Sequence, residues 1–363
     1  MAGPAEALAR GSSSGPPKRR PTAAEVIEYQ ANACATVGSA LYQQILLGVL
    51  EDVRVGGVTA DVLRDRGEDP FGSALALRFL GAVHRVVLEG RAPALAALYP
   101  SAGGDPSAGD PVRTFLATVA EHREEVVRRT DDAVQTNEVG RSAVLVGGYA
   151  EVLHTTGLPL RVLEIGASAG LNLRFDHYAY DTGRQVAGDP TSPVRFRGLW
   201  EGPPPRLPGR FAVARRVGCD LNPIDATTEE GRLRLLSFTW PDQLDRIARL
   251  EAAIEVARRV PLHLDRADAV DWLGGRLAER TAGLATVVTH SIVLQYLPRE
   301  GRLGVRRVLE AAGRAATPEA PVAWLRMEPA GGHAELRLTE WPGGEERLLA
   351  TAGFHGHPIR WGT

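Results

Sequence analysis

The residues best placed to do chemistry lie in VLEIGASAGLNL, residues 162–173. Within it, Gly166-Ala167-Ser168-Ala169-Gly170 spells G-x-S-x-G, the pattern of a nucleophile elbow in serine hydrolases. Glu164, Gly166 and Gly170, after an apolar stretch, also fit a glycine-rich loop that holds a nucleotide-like cofactor. The two interpretations give Ser168 different roles, a nucleophile in one and a small residue lining the cofactor in the other.

Polar residues also follow three later apolar runs, in GCDLNP (218–223), RADA (266–269) and THSIVLQYLP (289–298). Parallel α/β sheets bind ligands at the carboxyl ends of their strands, so these segments are expected at one edge. Asp220 could there accept hydrogen bonds from a ribose diol, and Asp268 one from an exocyclic amine. A helix cap or turn role remains open for both residues, because Asp after a strand commonly has that role.

Catalytic and substrate-side candidates lie beside these segments. His290 is a candidate general base, with a buried, hydrogen-bonded histidine as the alternative, and Tyr296 could orient a substrate or belong to the core. Asn137, Glu138 and Arg141 open the helix before the first strand and could line the cleft. Helix capping is the alternative for Asn137 and Glu138.

The elements that must position these residues follow from hydrophobic periodicity. Apolar residues recur at helical spacing from about residue 22 to 155, and short apolar runs alternate with amphipathic helices after residue 159. The runs predict strands at 160–165, 211–219, 261–264, 285–293 and 322–327, followed by a hairpin of 334–341 and 346–352. Alternation of strands and helices predicts a mostly parallel sheet covered on both faces.

We therefore expect three regions along the chain. Residues 1–21 are polar and rich in Pro and Gly, which predicts a disordered tail, and residues 22–136 form a helical N-terminal region on the substrate side. Residues 137–363 form the sheet domain, with an irregular insertion at about 172–210 that carries its own short strands.

These motifs together resemble the class I S-adenosylmethionine-dependent methyltransferases over about residues 137–358. VLEIGASAG is similar to their glycine-rich first motif, and the segments GCDLNP, RADA and VVTHSIVLQYLP are similar to the loops after strands two, three and four. The resemblance implies a Rossmann-like, methyltransferase-type fold ending in an antiparallel hairpin, with S-adenosylmethionine as cofactor. The cofactor-binding residues it implies are Glu164, Gly166, Ala167, Ser168, Gly170, Asp220, Leu221, Asp268 and Ala269.

The chain departs from that pattern twice. Ser168 occupies the position of the usual middle glycine, and Asp220 lies 50 residues after Gly170 where about 20 are expected for a ribose-binding acid. The insertion could absorb the excess; otherwise Asp176 or Asp181 becomes the candidate. More narrowly, QTNEVGRSA, EIGASAGLNL and TWPDQLDRIARL resemble a bacterial family known only as a domain of unknown function.

Composition removes several function classes. A net charge of −2 and the lack of a long basic run argue against nucleic-acid or membrane partners, which leaves a small-molecule substrate. The single lysine, Lys18, argues against P-loop, kinase and Schiff-base chemistry. Two cysteines and no apolar signal segment indicate a cytoplasmic protein. His355 and His357 have no third ligand at a suitable spacing, so no metal site is expected.

The sequence thus predicts an S-adenosylmethionine-dependent methyltransferase of unknown substrate. A noncatalytic protein with the same fold and a serine hydrolase that uses Ser168 are the alternatives. A nicotinamide-dependent oxidoreductase is disfavoured because the tight Gly-x-Gly pair of that fingerprint is missing.

Overall fold

The computed structural model describes residues 22–64, 66 and 74–362. These residues divide by their contacts into two compact units, each described here by itself. The sheet unit contains residues 137–227 and 249–362, and the helical unit contains the described part of 22–136 together with 228–248. Residues 228–248, which we expected in the sheet domain, therefore belong to the helical unit. The predicted tail, residues 1–21, lies outside the described residues.

Apolar residues at helical spacing form the core of the helical unit, as Ile45, Leu46 and Val49 show. Ser39 caps one helix by accepting a hydrogen bond from the Tyr42 amide, and its hydroxyl donates to Asp242 at 2.7 Å. The helices are α1 (Ala23–Val37), α2 (Ala40–Arg54), α3 (Val58–Leu63), α4 (Leu75–Leu88), α5 (Pro93–Ala96), α6 (Pro111–Glu121) and α7 (Arg123–Arg129), with α9 (Glu229–Ser237) from the later segment. Two short 3-10 helices, Pro100–Ala102 and Pro106–Ala108, lie between α5 and α6.

Strands and helices alternate in the sheet unit. Its strands are β1 (Leu160–Ile165), β2 (Ala179–Asp181), β3 (Val186–Gly188), β4 (Arg195–Arg197), β5 (Val213–Asp220), β6 (Leu264–Arg266), β7 (Ala285–Ser291), β8 (Val322–Ala330), β9 (His333–Trp341), β10 (Glu345–Ala352) and β11 (Ile359–Trp361). Its helices are α8 (Ser142–Thr156), α11 (Ala269–Ala278) and α12 (Arg299–Arg314), and α10 (Leu244–Arg259) contributes to both units. Short 3-10 helices cover Val139–Arg141, Asn172–His177 and Leu294–Tyr296.

The main sheet has eight strands in the order β11-β10-β9-β8-β7-β1-β5-β6. Strands β6, β5, β1, β7 and β8 are parallel, whereas β9, β10 and β11 each run antiparallel to the strand before them. This confirms a mostly parallel α/β sheet with an antiparallel C-terminal hairpin; β11 was not predicted. The strand order reverses between β1 and β7, and open parallel sheets bind ligands at such a switch point.

Burial follows from this topology. All six residues of β1 are buried because the central strand is covered on both faces. Leu163 and Ile165 pack with residues of α11 and α12, including Leu273 and Val305. Glu164 points to the opposite face, where its register partners are Gly218 of β5 and Thr289 of β7.

The chain between β1 and β5 forms a separate three-stranded sheet in the order β3-β2-β4. These strands fall within the irregular segment 172–210, where short strands were expected. The long connection does not displace β5, which pairs directly with β1. Among the described residues, no helix combines the length and apolar character needed to cross a membrane.

Candidate functional site

The loop after β1, residues 166–171, is here called the glycine loop. Gly166, Ser168 and Gly170 have φ values of 64°, 54° and 65°, in the left-handed region. A Cβ on Gly166 would lie 2.6 Å from Val293, and one on Gly170 would lie 2.5 Å from Leu262, so both positions require glycine. Ser168 adopts the same backbone region at a steric cost, because a side chain disfavours positive φ.

The backbone amides of the glycine loop are already used within the protein. The five donor–acceptor pairs are Ala167 N to Cys219 O (2.9 Å), Ser168 N to Asp220 Oδ2 (2.9 Å), Ala169 N and Leu171 N to Asn137 Oδ1 (3.2 and 2.8 Å), and Gly170 N to Ala167 O (2.7 Å). A phosphate-binding loop presents free N–H groups to its ligand. This loop therefore does not offer a phosphate cradle.

The segment after the loop also differs from expectation. In a loop that binds a nucleotide-like cofactor, the next residues begin an α-helix whose first amides face the ligand, but here Asn172–His177 is a 3-10 helix with a non-helical kink at Arg174. The Arg174 side chain lies buried and donates to the carbonyl oxygens of Gly170 and Val260, both at 2.9 Å. A buried guanidinium group therefore binds the Gly170 carbonyl oxygen at the end of the loop. In a regular α-helix, backbone amides of later residues would bind such carbonyl oxygens.

Glu164 ends β1 beneath this loop with only 3% of its surface exposed. Its Oε2 atom is buried and accepts no hydrogen bond from the described residues. Burial, together with the Asp220 carboxylate, raises the pKa of the Glu164 carboxyl to about 8, while Arg141 and Arg174 act in the opposite direction. Buried acceptors in native proteins are nearly always satisfied, so this oxygen marks a place for a donor.

Ser168 does not have the surroundings of a nucleophile. Its Oγ is buried and, like Glu164 Oε2, lacks a hydrogen-bond partner among the described residues. An activated serine needs a base within hydrogen-bond reach, and the structure places no histidine there. Ser168 therefore shares its positive φ with its neighbours Gly166 and Gly170, and this backbone conformation is not by itself evidence of a catalytic elbow.

Asp220 lies at the carboxyl end of β5, directly beside the glycine loop. Its Oδ2 accepts from the Ser168 amide and its Oδ1 from the Asn222 amide, both at 2.9 Å. The alternatives named from the sequence lie elsewhere: Asp176 forms an ion pair with Arg216 at 2.7 Å, and Asp181 accepts from the Gly183 amide. Of the three acids, only Asp220 combines the strand end with contact to the loop.

The remaining cofactor-side predictions have mixed outcomes. Asp268 is the N-cap of α11 and accepts from the Val270 and Asp271 amides, which is the alternative role left open for it. Both amides donate to the Oδ1 atom of Asp268, and the residue is exposed. Ala269 begins the same helix and is nearly buried, whereas the side chain of Leu221 is 63% exposed.

His290 has the surroundings of the alternative left open for it, a buried and hydrogen-bonded histidine. It is fully buried, its Nε2 accepts from Trp324 Nε1 at 2.9 Å, and its Nδ1 donates to Glu328 Oε1 at 2.6 Å. Neither ring nitrogen is left for a substrate. Tyr296, the other catalytic candidate, lies in a 3-10 helix with 71% of its surface exposed.

Glu328, at the end of β8, was missed. Its Oε1 accepts from His290 and also from the Val293 and Leu294 amides, at 3.0 and 3.3 Å. It therefore fixes the loop after β7, in which Ile292 has a φ of 55°. A rule that considers every polar residue after a parallel strand would have included it, but we ended that strand at Met327 and did not consider the next residue.

The three substrate-side candidates all hydrogen-bond to backbone groups of the protein, and Asn137 holds the glycine loop. Asn137 Oδ1 accepts two glycine-loop amides, and Glu138 Oε1 accepts from the Gly140 amide at 3.0 Å. Arg141 donates to the carbonyl oxygens of Ser291 (2.9 Å) and Phe354 (3.1 Å). Asn137 and Glu138 are buried. These contacts match the structural role left open for Asn137 and Glu138, and substrate binding by the three residues stays a prediction.

Comparison with known proteins identifies a family whose description names no activity. In the described part of the chain, no group of three or more His, Cys, Asp or Glu residues could hold a metal ion. Neither a curated protein nor a solved structure matches the chain significantly. A family model described as "uncharacterized protein conserved in bacteria (DUF2332)" matches residues 24–361, and the chain belongs to that family.

Proposed function

We propose that this protein binds S-adenosylmethionine at the carboxyl edge of its sheet and transfers the methyl group to a small molecule. The observation that carries the proposal is the buried Glu164 carboxyl, whose Oε2 has no donor among the described residues. It lies under a loop whose amides from Ala167 to Leu171 all donate to acceptors within the protein. Such a site favours a positively charged ligand over a phosphate.

The chemistry of the cofactor matches these groups. S-adenosylmethionine carries an ammonium and a sulfonium group and no phosphate, whereas a dinucleotide would need free amides for its pyrophosphate. Glu164 would receive the ammonium group, and its carboxyl, whose pKa burial raises to about 8, would release its proton as that cation binds. Asp220, whose two oxygens accept from the Ser168 and Asn222 amides, would receive the ribose hydroxyls, because a carboxylate oxygen can accept more than one hydrogen bond. The site at the switch point between β1 and β7 supports the same assignment.

Methyl transfer needs mainly alignment of a nucleophile with the methyl group. When bound, the cofactor would supply the electrophilic carbon. The protein would hold the cofactor and substrate in alignment: Asn137 and Arg174 fix the glycine loop, and Glu328 fixes the loop after β7. Because both His290 nitrogens are engaged, the proposal gives no role to a histidine base. It predicts a nucleophile that reacts without enzymatic deprotonation.

The test is calorimetric titration with S-adenosylhomocysteine, followed by Asp220→Asn and Glu164→Gln. Asp225→Asn is the matched control, because Asp225 also accepts from an amide two residues on but lies beyond the strand end. We expect measurable binding, weakened about tenfold or more by Asp220→Asn and unchanged by Asp225→Asn. No heat and no thermal shift at millimolar ligand would refute the proposal.

A noncatalytic protein that binds the same cofactor is the second candidate. The engagement of His290 supports it, because a catalyst acting on a protonated nucleophile would need a free base. A methyl-transfer assay with a panel of small thiols, amines and carboxylates separates the two. Binding with no S-adenosylhomocysteine release from any acceptor would favour the noncatalytic protein.

A further inference from the structure

The helical unit contains a histidine–serine pair that no sequence motif marks. His84 of α4 is fully buried, with its Nε2 at 2.9 Å from Ser101 Oγ and its Nδ1 at 3.3 Å from the Ser237 carbonyl oxygen. A carbonyl oxygen can only accept, so Nδ1 carries the proton and Nε2 accepts from the Ser101 hydroxyl. This is the arrangement in which a base can take the proton of a serine nucleophile.

The surroundings of His84 suit a base that is neutral at rest. Burial lowers the pKa of His84 to about 4, so at neutral pH the ring is uncharged and its Nε2 lone pair is available. Ser237 is the last residue of α9, and the carbonyl groups of a final helical turn lack intrahelical donors. That helix end favours positive charge, so it stabilises the imidazolium that forms during proton transfer.

Ser101 connects this buried base to the surface. The residue is partly exposed and lies in the 3-10 helix Pro100–Ala102. Its own N–H donates to no acceptor among the described residues, whereas the amides of Ala102 and Gly103 donate to Tyr99 O and Pro100 O. In serine hydrolases the N–H of the nucleophilic serine is one donor to the oxyanion. Hydroxyl, base and a free amide therefore meet at one residue.

We propose that Ser101 and His84 form a nucleophile–base pair that hydrolyses small carboxylic esters. Ser101 Oγ attacks the ester carbonyl carbon as its proton passes to His84 Nε2. The carbon–oxygen bond to the leaving group then breaks, and the leaving oxygen takes that proton. Water attacks the acyl-serine and gives one proton to His84, which returns it to Ser101 Oγ as the acid is released. A buried, weak base favours esters with a good leaving group, such as nitrophenyl esters.

The chain provides its own matched control. Pro106-Ser107-Ala108 repeats the tripeptide Pro100-Ser101-Ala102 and also forms a 3-10 helix. The Ser107 hydroxyl, however, donates to Asp105 Oδ1 at 2.7 Å, and it forms no hydrogen bond with a histidine among the described residues. Ser107 therefore shows the reactivity of a more exposed serine in the same tripeptide that has a carboxylate neighbour in place of His84, and His84→Gln isolates the effect of the histidine.

The experiment treats the full chain with a fluorophosphonate probe and locates the adduct by peptide mass spectrometry, alongside p-nitrophenyl acetate hydrolysis. We expect the adduct on Ser101, formed about 100-fold faster than on Ser107. Ser101→Ala should abolish both the adduct and the hydrolysis, and Ser107→Ala should change neither. His84→Gln should slow labelling of Ser101 by about 100-fold or more while thermal unfolding confirms that the variant is folded.

Three outcomes would overturn the proposal. They are no adduct on Ser101, equal labelling of Ser101 and Ser107, and unchanged labelling of Ser101 in folded His84→Gln. An adduct on Ser168 alone is a case of the first outcome and would instead support the hydrolase interpretation of the glycine loop. If His84→Gln does not fold, the comparison of Ser101 with Ser107 in the unaltered chain still decides the question.

Discussion

Replacing Glu164 with Gln should make the protein more stable at alkaline pH without changing it at acidic pH. Burial raises the pKa of Glu164 from its usual 4.5 to about 8 in the folded protein. Between these values the folded state holds a proton that the unfolded chain has released, so the free energy of unfolding falls as pH rises. Glutamine resembles the protonated acid in shape and does not titrate.

The magnitude follows from linkage. Each pH unit between the two pKa values costs the folded state roughly 1.4 kcal/mol relative to the unfolded chain. Between pH 6 and pH 8 the wild-type protein should therefore lose about 2 kcal/mol that Glu164→Gln retains. At pH 4 and below both states of the wild type are mostly protonated, and the two proteins should differ little.

The assay is urea unfolding at pH 6 and pH 8, followed by tryptophan fluorescence. Other titrating groups are common to both proteins and cancel in the difference. Glu255→Gln is the control, because Glu255 is 59% exposed on α10 and its variant should follow the pH dependence of the wild type. If wild type and Glu164→Gln show parallel pH dependence, Glu164 is ionised in the folded state and the reasoning is refuted.

Three further variants test the loops around the site. Gly166→Ala should lower the free energy of unfolding by about 1–3 kcal/mol, since its Cβ would meet Val293 at positive φ, and urea unfolding measures this. Ser168→Gly should raise stability by about 1 kcal/mol by relieving positive φ; a lower melting temperature would contradict it. Glu328→Ala should cost about 2–4 kcal/mol and speed amide exchange at Val293 and Leu294, because three donors lose their acceptor. Glu335→Ala, at the register partner on β9, should cost less than 1 kcal/mol by the same assays, because its side chain pairs at the surface.

Much of the sheet could be predicted from the sequence because its signals are local. The run at 160–165 coincides with β1, and the runs at 285–293 and 322–327 fall on β7 and β8. A parallel sheet covered on both faces needs continuous apolar strands, and those are visible in one dimension. Strand β6 was placed at 261–264 but forms at Leu264–Arg266, and its partly exposed edge position gives a weaker apolar signal.

The sequence also identified the strand ends at which polar residues lie, and it named Glu164 and Asp220 there as candidate binding residues. It could not show which polar atoms of the candidate residues form hydrogen bonds within the protein. Asn137, Arg141 and His290 have the types of binding or catalytic residues, but in the fold Asn137 Oδ1 and the Arg141 guanidinium bind backbone groups, and both His290 nitrogens bind Trp324 and Glu328. A side chain serves a ligand only if the protein has not already satisfied it, and that depends on distant partners.

The sequence by itself therefore determined the α/β class, the parallel strands and the glycine loop, because each rests on residues close together in the chain. Only the tertiary structure determined which polar groups lie within hydrogen-bond distance of each other. It brought Asp220 to the Ser168 amide, left Glu164 Oε2 without a donor from the part of the chain that the structure describes, and placed His84 between Ser101 and the Ser237 carbonyl oxygen. Hydrogen bonds act over about 3 Å in space and carry no trace in sequence spacing, so residues as far apart as 84 and 237 reveal their relation only when the chain is folded.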